Sequence, residues 1–175
     1  MNTLQLTAIM DKITCRTHFL GVLPSDQLPK KPIRILPSAC IINTHPARLP
    51  GEHWIAVYLT QDGPTCFFDS FGNPPNSHRF PTTINNFLAA NDADVLYSDR
   101  RVQDYSSDTC GQHCVFFLYH LASGYDYNHV MKLYTDDYIK NDKMVSLFVK
   151  RLRPYVCNDK MFSCVHCVQT CLTYK

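Results

Sequence analysis

The amino-acid sequence predicts one α+β domain: a small, mainly antiparallel sheet packed with helices, with a central buried helix that starts at Cys110. Three observations predict it. Patterns along the chain run helix, strands, helices, which suits helices covering one face of a sheet. Residues 53–60 and 65–70 read as strands separated by the turn-forming run Gln61-Asp62-Gly63-Pro64, and so as a hairpin. Residues 109–123 place Cys110, Cys114, Phe117, Leu118 and Leu121 on one helical face and stop at Gly124.

The remaining elements follow in chain order. Leu6, Ile9, Met10 and Ile13 recur at helical spacing after Thr3, a candidate cap. Prolines at 24, 29, 32, 37, 46 and 50 forbid a long helix there, leaving an extended stretch and a short apolar strand at residues 39–42. Gly72 and the Pro74-Pro75 pair break structure before Pro81, which starts a helix to about residue 90. A strand is expected at residues 94–98. A last helix follows Thr135, with Met144, Leu147, Phe148 and Leu152 as its apolar stripe and Pro154 closing it. The domain therefore spans residues 1–156, and residues 157–175 form a cysteine-rich tail.

With 175 residues, 45% of them hydrophobic and 12% aromatic, the chain can bury a substantial core without metals or disulfides. No run approaches the roughly 18–20 apolar residues of a membrane span, and residues 1–17 lack a basic start followed by an apolar run. The expectation is a monomeric protein that neither spans a membrane nor is secreted. Nine cysteines is an odd number, scattered without a framework spacing, which points to a reducing compartment with thiols free for chemistry. Lys plus Arg number 17 against 15 Asp plus Glu, a balance that announces no nucleic-acid partner. The basic clusters Lys30-Lys31-Arg34, Arg100-Arg101 and Lys150-Arg151-Arg153 read as solvated faces.

A thiol hydrolase needs a nucleophile of depressed pKa, a histidine to take its proton, a group to hold that histidine and a donor for the oxyanion. Cys110 sits where the loop 106–109 becomes a helix, so the positive end of the helix dipole favours its thiolate. Gly111 beside it permits close backbone approach by a substrate. His53, followed by Trp54, begins one strand of the hairpin and Asp69 ends the other, which brings base and carboxylate to one end of the sheet. Gln103 can reach back over the helix start as an oxyanion donor.

The segments Gly51-Glu52-His53-Trp54, Phe67-Phe68-Asp69-Ser70-Phe71-Gly72 and Val102-Gln103 through Cys110-Gly111 with Cys114 resemble, in order and spacing, the motif blocks of the adenain family of viral maturation proteases. Phe19-Leu20-Gly21 and Ala39-Cys40-Ile41-Ile42-Asn43-Thr44 extend the resemblance over roughly residues 15–120. It implies an α+β fold shared with proteases that remove ubiquitin-like modifiers. It also implies cleavage of viral precursor proteins at glycine-containing sites, in the virion and the host nucleus or cytoplasm. His53 would be the base, Asp69 its orienter, Gln103 the oxyanion donor and Cys110 the nucleophile, with Trp54 and Gly111 beside the substrate and no cofactor required. The chain departs from the family in three respects. Aspartate stands at position 69, where adenain commonly has glutamate and the deconjugating proteases aspartate. No cysteine lies between Asn91 and Val102 to take a disulfide-linked activating peptide. The nearly balanced charge gives the family's DNA stimulation little support.

Other readings compete. A deconjugating protease for a ubiquitin-like protein shares the same catalytic set, and an acetyl-coenzyme A-dependent acyltransferase shares the triad. A non-enzymatic zinc protein would instead use the tail, where Cys157, Cys164, Cys167 and Cys171, with His166 among them, offer metal-type ligands. We expect these to be ordinary thiols, so no residue is assigned to a metal.

Overall fold

The computed structural model describes residues 1–14, 17–92 and 94–157, with side chains through residue 152. Asn2, one residue ahead of the expected Thr3, caps α1 (Thr3–Ile13): its Oδ1 accepts from the Gln5 N–H at 3.0 Å while Gln5 Oε1 accepts from the Asn2 N–H at 3.2 Å. Leu6, Ile9, Met10 and Ile13 are buried along its inner face, as the spacing predicts.

The sheet runs β1-β2-β3-β4-β5 in space, from β1 (His18–Pro24), β2 (Ser38–Asn43), β3 (Trp54–Leu59), β4 (Thr65–Phe68) and β5 (Val95–Leu96). β2 with β3 and β3 with β4 pair antiparallel, the latter being the expected hairpin, whereas β1 with β2 and β4 with β5 pair parallel. The sheet is thus mixed, not mainly antiparallel. The physical reason lies in the connections, because a parallel neighbour needs a crossover of about a dozen residues or more. The proline-rich segment 25–37 supplies one, and α2 (Thr82–Asn91) supplies the other.

Helices cover both faces of the sheet, where one was expected. Along β2 every residue is buried. Ala39 and Ile41 join the core built with α1, α3 (Cys110–Ala122), α4 (Tyr127–Lys132) and α5 (Tyr138–Cys157), while Cys40 and Ile42 face Ile84, Phe87 and Leu88 of α2. The hairpin is anchored to both layers. Phe68 stacks on Phe117 of α3 at 4.5 Å between ring centroids, and Phe67 meets Phe80 edge-on at 5.7 Å on the other side. Truncating Phe117, which is fully buried, should cost about 3–5 kcal/mol.

Helix α3 is central and buried nearly all round, from Cys110 through Leu121, and Gly124 follows it with φ +92°. On α5 the buried stripe is Val145, Val149 and Leu152, with Met144 and Phe148 partly buried and Leu147 exposed, so the apolar face is rotated from the one expected. The helix also includes Pro154, expected to close it. Among the described residues no helix is long and apolar enough to cross a membrane.

Candidate active site

His53 lies just before β3, where its carbonyl accepts the Thr44 N–H at 3.0 Å, and Asp69 lies just after β4. The antiparallel register of the hairpin, Ala56 opposite Phe68, therefore sets the two side chains together at one end of the sheet. His53 Nε2 meets Asp69 Oδ1 at 2.6 Å, and the carboxylate is almost wholly buried. Asp69 is further held by the N–H of Phe71 on Oδ1, and by the N–H and side-chain amide of Asn73 on Oδ2 at 3.0 and 2.6 Å. A buried carboxylate so supplied with donors stays ionised: burial pushes its pKa up, but the bonds from His53 and Asn73 outweigh this and hold it below the usual value.

With Nε2 committed to Asp69, Nδ1 of His53 is the nitrogen left for the Cys110 side chain, to which the imidazole is hydrogen-bonded. Burial alone would lower the His53 pKa, yet Asp69 and Cys110 together raise it to about 9. Burial likewise opposes the Cys110 thiolate, but His53 and the N–H groups of Trp54 and Gly111 bring its pKa below the ordinary 9.0. Both shifts favour the charged form of the pair, a thiolate beside an imidazolium. Cys110 is buried. The other described thiols go the opposite way: burial pushes Cys66 up to about 11, Cys40 up to about 12, and Cys114 well above 9.0.

These groups open into a cleft of about 630 Å³ lined by His53, Trp54, Phe71, Gln103, Ser107 and Cys110 among others. Gln103 is buried, with Oε1 accepting from Ser70 Oγ at 2.6 Å and Nε2 donating to Ser107 O at 3.0 Å and Ser107 Oγ at 3.1 Å. The Ser107 carbonyl, which can only accept, thus fixes which end of the amide is a donor. A Cβ at Gly111 would stand 3.3–3.4 Å from Leu6, Met1 and Trp54, so the missing side chain lets the start of α3 approach α1 and Trp54 closely.

Sequence reasoning missed several partners. Phe71 stacks on the His53 ring at 4.9 Å, and Tyr105 stacks in turn on Phe71 at 5.5 Å. Asn43 Oδ1 accepts the N–H groups of His45 and Glu52 and orders the loop leading to His53. Asn73 and Ser70 carried one legible signal, their closeness to Asp69 in sequence. Arg100 bonds the Met131 and Tyr134 carbonyls and Asp136, and Arg101 lies over the rings of Tyr105 and Tyr138, so this basic cluster is engaged within the fold. Of the zinc set considered for the tail, Cys157 ends α5, and Cys164, His166, Cys167 and Cys171 lie outside the described residues. No known family model and no curated protein sequence matches this chain.

Proposed function

We propose that the chain is a cysteine endopeptidase of the adenain type, acting on precursor proteins of a virus or virus-like element at glycine-containing sites. The observation that carries this reading is Cys110, the one thiol of lowered pKa among the described residues, set against an imidazole that a buried, four-fold hydrogen-bonded carboxylate holds in place.

In the proposed reaction the Cys110 thiolate attacks the scissile carbonyl carbon, a C–S bond forms, and the carbonyl electrons move to oxygen. Gln103 Nε2 receives that oxyanion by exchanging its bond to the Ser107 hydroxyl for one to the substrate. Collapse breaks the C–N bond, and the amine leaves with the proton from His53 Nδ1. Water, deprotonated by the now neutral His53, then adds to the thioester carbonyl, and collapse breaks the C–S bond, releasing the acid and restoring the Cys110 thiolate beside a protonated His53. Asp69 stays ionised throughout and stabilises the imidazolium. Glycine before the cut lets the substrate backbone pass close to Trp54, which lines the cleft.

Cleavage profiling of wild type against Cys110→Ala on a peptide library tests the reading. Wild type should cut after glycine, with a large aliphatic residue a few positions upstream, and the variant should be inert but folded. Hydrolysis by the variant, or preference for a bulky residue before the cut, would count against it. Aspartate at position 69 favours one second reading, a deconjugating protease. Precursor peptides and ubiquitin-like fusions offered side by side separate the two.

A further inference from the structure

A second carboxylate–imidazole pair lies behind the nucleophile, wholly outside the cleft. His113 on α3 is fully buried, and its Nε2 meets Asp142 Oδ1 of α5 at 2.8 Å. The same oxygen accepts the Thr109 hydroxyl at 2.7 Å, while Oδ2 accepts the Asp104 N–H at 3.2 Å. Asn141, also buried, donates its amide to the Val102 carbonyl at 3.0 Å. Each anchor point adjoins a residue of the proposed chemistry: Val102 and Asp104 flank Gln103, and Thr109 precedes Cys110. The first turn of α5 thus grips both ends of the loop that separates oxyanion donor from nucleophile.

The cluster is costly for a purely structural device. His113 Nδ1 faces the Tyr134 hydroxyl at 3.4 Å, and burial keeps the ring's pKa below its ordinary value, so a neutral imidazole donates to Asp142 while the phenol donates to Nδ1. Asp142 is then a mostly buried carboxylate satisfied by three uncharged donors, from Thr109, His113 and Asp104. Apolar residues of similar volume commonly fill such a space at equal or greater stability. A charge kept there and spent on these particular donors is explained by what they hold in register.

We propose that Asp142, oriented by His113 and aided by Asn141, is a positioning residue that sets the Gln103 amide against the Cys110 sulfur, and so fixes the oxyanion site. This rests on the thiol-protease reading. The groups touch no substrate and act only through the loop they clamp.

Three readouts on Asp142→Asn test it: steady-state hydrolysis of the best glycine-containing peptide, the rate of Cys110 alkylation by iodoacetamide, and the same substitution in a Gln103→Ala background. Alkylation needs the thiolate but develops no oxyanion. A positioning role lowers kcat by about 10- to 10²-fold with KM and the alkylation rate within about threefold. In the Gln103→Ala background the further loss shrinks to about threefold or less, because the donor being aligned is gone. An equal loss in both backgrounds, unchanged kcat, or hydrolysis and alkylation falling together with the folded fraction would each overturn the proposal. If Asp142→Asn does not fold, Thr109→Val removes one anchor, leaves the His113 and Asp104 bonds in place, and is read by the same criteria. Absence of hydrolysis by wild type refutes the protease reading itself, whereas active wild type with a fully active Asp142→Asn refutes only the positioning role.

Discussion

Asp69→Asn is the substitution that most directly weighs the site's electrostatics. The carboxylate accepts from the His53 ring, two backbone N–H groups and the Asn73 amide, whereas an asparagine offers one acceptor oxygen and turns an NH₂ group toward donors. Raising His53 from 6.5 to about 9 corresponds to about 3 kcal/mol in favour of the imidazolium, at about 1.4 kcal/mol per tenfold. Asp69 and Cys110 share that effect, so losing the Asp69 part lowers the ratio of imidazolium to neutral imidazole by about tenfold or more. Freeing the ring to adopt the wrong tautomer and tilt raises the loss toward the ~10⁴-fold seen for the corresponding change in serine triads. We therefore expect kcat to fall between about 10²- and 10⁴-fold, with residual activity above that of Cys110→Ala. The turn at residues 71–73 should also loosen, so kcat is read on protein whose thermal unfolding shows it folded at the assay temperature. The basic limb of the pH–rate profile should move from about 9 toward 6.5. Turnover within about twofold of wild type, with that limb unmoved, would show that another group orients His53 and refute the assignment.

Further outcomes are expected. Iodoacetamide at neutral pH should label Cys110 ahead of Cys40, Cys66 and Cys114, whose thiols burial holds above their ordinary pKa, and peptide mapping reads the order. Turnover should decline above about pH 9 as the imidazolium loses the proton needed by the leaving amine, whereas the alkylation rate should not decline, since the thiolate persists. Stability carries the same sign: the His53 contribution is whole below about pH 6.5 and is lost as pH rises through about 9, measurable as a falling Tm. Gly72→Ala should destabilise by about 1–3 kcal/mol from conformation alone, because φ is +74°, and by more because the new Cβ would stand 2.5 Å from the Asp99 carbonyl oxygen. An unchanged Tm would contradict this.

What the sequence disclosed and what it withheld divide along physical lines. The hairpin was legible because a turn signal and two apolar runs are local, and its register carries His53 and Asp69 to one end. Helix α3 was legible because a loop, an apolar period and a glycine stop bound it. β1 was not, since the register shift between Phe19 and Gly21, where φ is +119°, breaks the alternation that marks a strand. Coverage of both sheet faces was hidden for a related reason: a strand buried on both sides, as β2 is, shows no alternation to say which side is covered. The clamp of Asp142 on Thr109 and Asp104 joins residues far apart in sequence, and neither side carries a pattern that names the other.

Base and carboxylate belong to one hairpin, only 16 positions apart, while the thiol arrives from a helix much later in the chain. As the polypeptide folds, the imidazole–carboxylate pair can form as soon as its two strands zip together, but the sulfur joins it only after α3 docks on the sheet through contacts such as Phe117 on Phe68. Until that docking Cys110 is an ordinary thiol of pKa near 9, and the neighbouring N–H groups that stabilise its anion are not yet arranged. In the proposed protease, nucleophilicity is therefore a property of the completed tertiary structure, and a half-folded chain has no assembled site with which to attack its neighbours.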